Sequence, residues 1–72
     1  MGITIHVQDS RTNNFAVGKK VVISDSVGRR DATTNSSGDA IFAMAKSGNY
    51  KVFVDNRQVH DGPIVGVQIV YI

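Results

Sequence analysis

Apolar and polar residues alternate with a period of two along several short segments of this chain. Residues 3–7 alternate in this way, which predicts a first β-strand with one buried face. Residues 9–18 are polar and turn-rich, and predict a loop in which Phe15 and Val17 fold back over one end of the core. Residues 20–24 are mostly β-branched and predict a second strand.

Glycine-containing turns separate the strands that follow. Residues 25–28 predict a turn in which Gly28 supplies a positive φ. Residues 29–34 are polar and predict an edge strand, since charged side chains there discourage unwanted pairing. Residues 35–38 predict a second tight turn. Residues 40–46 could form a short helix, but so short a segment rarely sustains one in water, and we expect a strand.

The last third of the chain predicts a hairpin and then a long strand. Residues 50–54 alternate well, and Asp55-Asn56 suits a two-residue hairpin turn because both residue types tolerate a positive φ. Residues 57–60 form the returning strand, and a further turn is expected at residues 61–63. Residues 64–72 then form the final strand. About seven strands with no room for a crossover helix predict an all-β fold, a small antiparallel β-sandwich.

Composition agrees with this fold class and excludes several chemistries. The chain of 72 residues is sized for a single domain over residues 1–72. Leucine and glutamate, two strong helix formers, are absent, whereas valine and isoleucine are abundant. Cysteine is absent as well, which removes disulfides, thiolate catalysis and cysteine-based zinc sites. We expect no cofactor.

The charge is mildly basic, with a formal net charge of +2. The pairs Lys19-Lys20 and Arg29-Arg30 could meet phosphates, and single-stranded nucleic-acid binding by these turns is one alternative function. The aromatic residues do not interleave with the basic ones as stacking platforms would. We therefore do not expect nucleic acid to be the partner.

No membrane or export signal is visible in the sequence. Residues 2–7 already alternate as a strand, and show neither a basic region nor an apolar stretch of the kind that a signal peptide has. The apolar run over residues 64–72 is too short to cross a bilayer. If the chain is complete, we expect it to be intracellular or associated with a particle.

The middle of the chain, roughly residues 18–55, resembles the transthyretin-like (prealbumin-like) sandwich family and its carboxypeptidase regulatory-like and collagen-adhesin B-type relatives. The residues that carry the resemblance are Gly18, Val21, Ile23, Gly28, Thr33-Thr34, Gly38, Phe42, Gly48, Tyr50, Val52 and Val54. These positions bear on the fold, so the resemblance implies a transthyretin-like or immunoglobulin-like sandwich and says little about activity.

The same resemblance implies two candidate chemistries. The family's 5-hydroxyisourate hydrolases begin with a strand whose histidine is catalytic, and residues 5–10 resemble that strand, with His6 at the matching position. Their Tyr-Arg-Gly-Ser ending is missing, since this chain ends in Val70-Tyr71-Ile72. The adhesin-type relatives can form an isopeptide bond promoted by a buried glutamate, which here would require Lys20 with an aspartate instead.

Two sets of residues could in principle hold a metal ion. His6 and His60 could share one if their strands meet, and Asp25, Asp31 and Asp39 could line a calcium site. The aspartate spacing matches no calcium loop, and aspartates beside glycine and serine usually form turns. We expect no metal site.

Surplus apolar residues give the main functional indication. A two-layer sandwich buries one face of each sheet, and this chain has no helix to cover the second face. Ile41 and Phe53 lie opposite the presumed core faces of their strands, as does Val70 in the final strand. We expect these three side chains to form an outer face that packs against another copy or another protein.

The sequence therefore predicts a non-enzymatic interaction or assembly module that binds another protein or copies of itself. A degenerate hydrolase centred on His6 is the alternative from a different functional class. The predicted contact residues are Ile41, Phe53, Val70, Arg29, Arg30 and Asn13.

Overall fold

A computed structural model describes residues 2–72, which contain β-strands and no helix. The strands are β1 (Ile3–Gln8), β2 (Lys20–Ser24), β3 (Arg29–Thr33), β4 (Asp39–Phe42), β5 (Gly48–Val54), β6 (Arg57–Ile64) and β7 (Val67–Tyr71). The prediction of an all-β fold with about seven strands is confirmed.

The strands form two sheets whose inner faces pack together. One sheet has three strands in the order β4-β1-β7, and the other has four in the order β3-β2-β5-β6. Ile3, Ile5 and Val7 of the first sheet are fully buried and belong to one cluster with Val21 and Val52 of the second. These residues occupy every second position of their strands and point inward. The period-two pattern of the sequence therefore forms the core of the sandwich.

One strand pair is parallel, which the antiparallel prediction missed. β1 is antiparallel to β4 but parallel to β7. The chain between them passes through the other sheet, which supplies the long crossover that a parallel pair requires. In immunoglobulin constant-type sandwiches the first two strands share a sheet. Here β1 and β2 lie in different sheets, so the immunoglobulin-like alternative does not describe this connectivity.

The predicted turn at residues 61–63 is wrong, and so is the single long strand over residues 64–72. β6 runs through residues 61–63 and pairs there with β5. Pro63 is tolerated because β6 is an edge strand, where a missing N–H breaks no sheet hydrogen bond. The chain leaves this sheet after Ile64 and bends at Gly66, whose φ is 71°. β7 then begins in the other sheet.

The loop before β2 contacts the core through a different residue from those expected. Phe15 and Val17 are more than half exposed, whereas Ala16 between them is buried. Phe15 forms an antiparallel bridge with Gln8, an outward residue of β1. Because bridged neighbours point to the same side of a sheet, Phe15 also points outward, and the expectation that Phe15 and Val17 cover the core is wrong.

The strand predicted over residues 40–46 ends early. β4 ends at Phe42, and the chain turns so that the Ala45 N–H donates to the Phe42 carbonyl at 3.1 Å. Met44 consequently lies in solvent and Ala45 is buried, whereas a strand continuing past Phe42 would point Met44 inward and Ala45 outward.

Two of the predicted turns are stabilised in different ways, one by a side chain and the other by backbone conformation. Gly28 does not adopt a positive φ, contrary to expectation. The turn is held instead by the Asp25 carboxylate, which accepts the N–H groups of Val27 at 3.0 Å and Gly28 at 2.9 Å. The predicted hairpin turn is confirmed, with φ of 50° at Asp55 and 69° at Asn56.

None of residues 2–72 lies in a helix long and apolar enough to cross a membrane.

A methyl group at Gly38 should be strongly destabilising. Its φ is 78°, and a Cβ there would lie 2.9 Å from the Val7 carbonyl oxygen and 3.0 Å from the Phe15 Cβ. Gly18 has a similar φ of 73° with nothing within 4 Å of a Cβ, and is the matched control. Gly18→Ala should cost about 1 kcal/mol of unfolding free energy for the left-handed backbone. Gly38→Ala should cost about 1–3 kcal/mol more for the overlap, measured by urea denaturation. Equal losses would show that the overlap relaxes freely.

Candidate functional site

The outer face of the three-stranded sheet has a polar centre and an apolar margin. The outward side chains of β1 are Thr4, His6 and Gln8, all partly buried. Beside them the outward side chains of β7 are Val67, Ile69 and Tyr71, which are 63%, 49% and 58% exposed. We call these three side chains the β7 surface. They are large apolar groups in an unbroken column along the edge of the sheet.

The backbone of the same three residues is also without a partner in the sheet. The Gly66 carbonyl accepts a hydrogen bond from β1 at 2.9 Å, and the Ile72 N–H donates one to β1 at 2.9 Å. Successive residues of a strand direct their polar groups to opposite sides, so the even-numbered residues of this segment face β1. The N–H and carbonyl groups of Val67, Ile69 and Tyr71 therefore face the open edge.

The described strands include four edges, and the other three are protected in ways that β7 is not. β3 carries three charged residues, β6 has Pro63 and a β-bulge opposite Val52, and β4 is only four residues long and packs beside β3. Charge, proline, bulges and short length all discourage edge pairing. The segment Val67–Ile72 contains no charge, proline or glycine, which is typical of segments that pair with their own kind.

One side chain partly covers this edge. The Gln68 Nε2 donates to the Ile69 carbonyl oxygen at 3.1 Å, in the middle of the open edge. The bond is exposed to solvent, so its net contribution is small, about 0.5–1.5 kcal/mol. A partner strand could replace it with a backbone hydrogen bond.

The three predicted apolar contact residues do not share a face. Ile41 is exposed on the outer side of β4, in the three-stranded sheet. Phe53 is half-buried on the outer side of β5, in the other sheet. Val70 is buried in the core, so its predicted exposure is wrong. It is the opposite side of β7, with Ile69 at its centre, that points outward.

The three predicted polar contact residues are exposed but lie apart. Arg29 pairs with the outward Ser24, whereas Arg30 pairs with the inward Ile23, so the two arginines project to opposite sides of β3. Asn13 lies in the loop after β1, and its Oδ1 accepts the Gln8 Nε2 at 2.6 Å. Their role in binding a partner stays a prediction.

His6 faces outward from β1 and is held by two neighbours. Its Nδ1 lies 2.7 Å from Asp39 Oδ1, and its ring meets the Phe15 ring edge-on with centroids 5.2 Å apart. An aspartate that fixes an imidazole in this way is one part of a general base. Asp39 is its one ion-pair partner among residues 2–72. A hydrolase would also need a group that stabilises an oxyanion. The hydrolase alternative stays a prediction.

The candidate metal ligands are dispersed. His6 and His60 lie in different sheets, Asp25 binds its own turn, and Asp39 binds His6. Within the described residues no three histidine, aspartate, glutamate or cysteine side chains form a group that could hold a metal ion. Lys20 is exposed, so it lacks the buried surroundings of an isopeptide crosslink.

No family model, curated protein or solved structure matches this chain. Indications of function therefore come from the two outer faces of the sandwich.

The contact between His6 and Asp39 should contribute measurably to stability. A double-mutant cycle with His6→Ala and Asp39→Ala should give a coupling of about 0.5–1.5 kcal/mol in urea denaturation, because the hydrogen bond is short and partly buried. The same cycle with Asp31→Ala in place of Asp39→Ala should give no coupling, since Asp31 lies on β3 in the other sheet. Additive effects at His6 and Asp39 would contradict the contact.

Proposed function

We propose that this protein is a self-associating module that assembles through the edge of β7. The observation that carries the proposal is the coincidence of two open surfaces on one strand. Val67, Ile69 and Tyr71 have exposed apolar side chains and also have backbone groups that face the open edge. A partner strand laid along β7 would satisfy the backbone and place its own outward side chains against those of β7.

A second copy of the same strand meets these requirements. In an antiparallel pair around a two-fold axis at Ile69, each Val67 lies beside the partner's Tyr71, and the two copies of Ile69 face each other. At such an axis a charged residue would meet its own charge and be repelled. Segment Val67–Ile72 is uncharged, and the net charge of the whole chain is only +2, so repulsion between copies is weak.

Such pairing would join two three-stranded sheets into one continuous sheet. The apolar rows would cross the junction on the outer face, and the Gln68 amide would give way to the incoming backbone N–H. Each cross-strand pair of apolar side chains contributes about 0.2–1 kcal/mol, and each backbone hydrogen bond about 0.5–1.5 kcal/mol. These terms oppose the entropy lost on association, which predicts reversible, concentration-dependent assembly.

Charge placed at the centre of the edge should abolish self-association. In Ile69→Lys the two ammonium groups would meet at the axis, so the dissociation constant should rise at least about 10-fold. Val27→Lys is the matched control, because Val27 is 92% exposed and lies in the turn between β2 and β3, in the other sheet. Sedimentation velocity over a concentration series should show wild type and Val27→Lys associating and Ile69→Lys monomeric. A wild type that stays monomeric at the highest concentration would overturn the proposal.

A single cysteine can test the register. The open-edge residues would form hydrogen-bonded antiparallel pairs, whose Cα atoms lie about 5.5 Å apart, within disulfide range. Because the chain has no native cysteine, Ile69→Cys should give a crosslinked dimer under mild oxidation. Val27→Cys should crosslink much more slowly at the same concentration. Non-reducing electrophoresis and intact mass measure both, and equal yields would argue against pairing at Ile69.

A further inference from the structure

Most basic side chains lie around one part of the molecule. Three concavities of about 410, 420 and 180 Å³ all have Arg29 in their lining. Five of the eight lysine and arginine residues line them: Lys20, Arg29, Arg30, Lys46 and Lys51. We call the three concavities together the Arg29 groove. Two of the concavities lie on the outer face of the four-stranded sheet, where Val22 and Phe53 point outward. The third lies between the β2–β3 turn and Lys46, in the segment between β4 and β5.

The positive charge of the groove is poorly compensated. Two of the chain's six aspartates, Asp25 and Asp31, line it. The Asp25 carboxylate is already occupied by two backbone N–H groups of its own turn. The ion pairs found within residues 2–72 join His6 to Asp39 and Lys19 to Asp55, and neither includes a cation of the groove. Unpaired cations with few carboxylates nearby attract anions.

An aromatic ring lies among these cations. The concavity of about 420 Å³ is lined by Phe53 together with Arg29 and Lys51. Its other lining residues are Ser24 and Asn56, so it has no carboxylate in its lining. Phe53 stands on the outer face directly beside Val22 and is half-buried. The sequence suggested that aromatic and basic residues do not interleave. In the folded sheet they do at this place, because β2 brings the start of β3 alongside β5.

We propose that the Arg29 groove binds single-stranded nucleic acid. Phosphates lie against Arg29 and the lysines, a base stacks on the Phe53 ring, and Ser24 and Asn56 offer hydrogen bonds to the base or sugar. A groove of unpaired cations around an aromatic platform is the arrangement by which proteins hold single strands without reading their sequence. The described residues include no helix that could enter the major groove of a duplex, and paired bases cannot stack on a side chain.

The test is fluorescence anisotropy with a labelled oligothymidylate of about ten nucleotides, titrated with wild-type protein at several salt concentrations. Binding should weaken as salt increases. The logarithm of the association constant should fall against the logarithm of the salt concentration with a slope of about −0.7 for each phosphate contacted. A duplex of the same length should bind more weakly. No binding at low salt, no salt dependence, or equal binding of the duplex would each overturn the proposal.

Two variants and a control assign the binding to the groove. Phe53→Leu keeps an apolar side chain but removes the stacking platform, and should weaken binding about 5-fold or more with little change in the salt slope. Arg29→Gln should weaken binding and lower the slope. Arg11→Gln removes the same charge from an exposed loop position outside the groove, and should change binding little.

Circular dichroism melting confirms that each variant folds. The proposal is overturned if Arg29→Gln and Arg11→Gln weaken binding equally, since the effect would then come from net charge alone. It is also overturned if a folded Phe53→Leu variant binds as tightly as wild type. Neither variant touches β7, so this result is independent of whether the protein self-associates.

Discussion

Burial of the inner faces of two small sheets against each other is the interaction on which every other feature of this molecule depends. Ile3, Ile5 and Val7 place three fully buried side chains on β1, the central strand of its sheet. A chain of 72 residues buries a smaller fraction of its surface on folding than a larger domain does, so its stability is small. The same two-layer design leaves both outer faces uncovered. Function must therefore be sought on those faces.

The sequence predicts a strand's orientation most directly where one of its faces is polar. β1 alternates apolar and polar residues, so its buried side could be predicted correctly. β7 is apolar on both sides, and a shift of one residue exchanges its faces. The register with β1, in which Val70 lies beside Val7, decides the orientation, and that is a tertiary contact. The uncharged composition of the segment was the one local signal that β7 is an exposed edge.

Turns predicted from residue type alone were wrong where pairing with a neighbouring strand determined the backbone conformation. Residues 61–63 have the composition of a turn, yet they continue β6 because β5 is long enough to pair with them. Gly66, with no proline or asparagine beside it, makes the actual break. Likewise, Phe53 and Arg29 are far apart in the chain, and only the strand order β3-β2-β5 shows that they line one concavity. The sequence thus predicts strands and most turns, but not which outward residues meet.

The two outer faces differ in chemistry, and their separation makes their uses compatible. The β7 surface lies at the edge of one sheet, whereas the Arg29 groove lies on the far side of the other. Pairing of two copies through β7 would leave both grooves open and hold them in one particle. A single-stranded nucleic acid long enough to reach both grooves would bind the second groove at a high effective concentration, without any new contact. Self-association would then raise the apparent affinity for such a nucleic acid, so the uncharged edge and the basic face would act together.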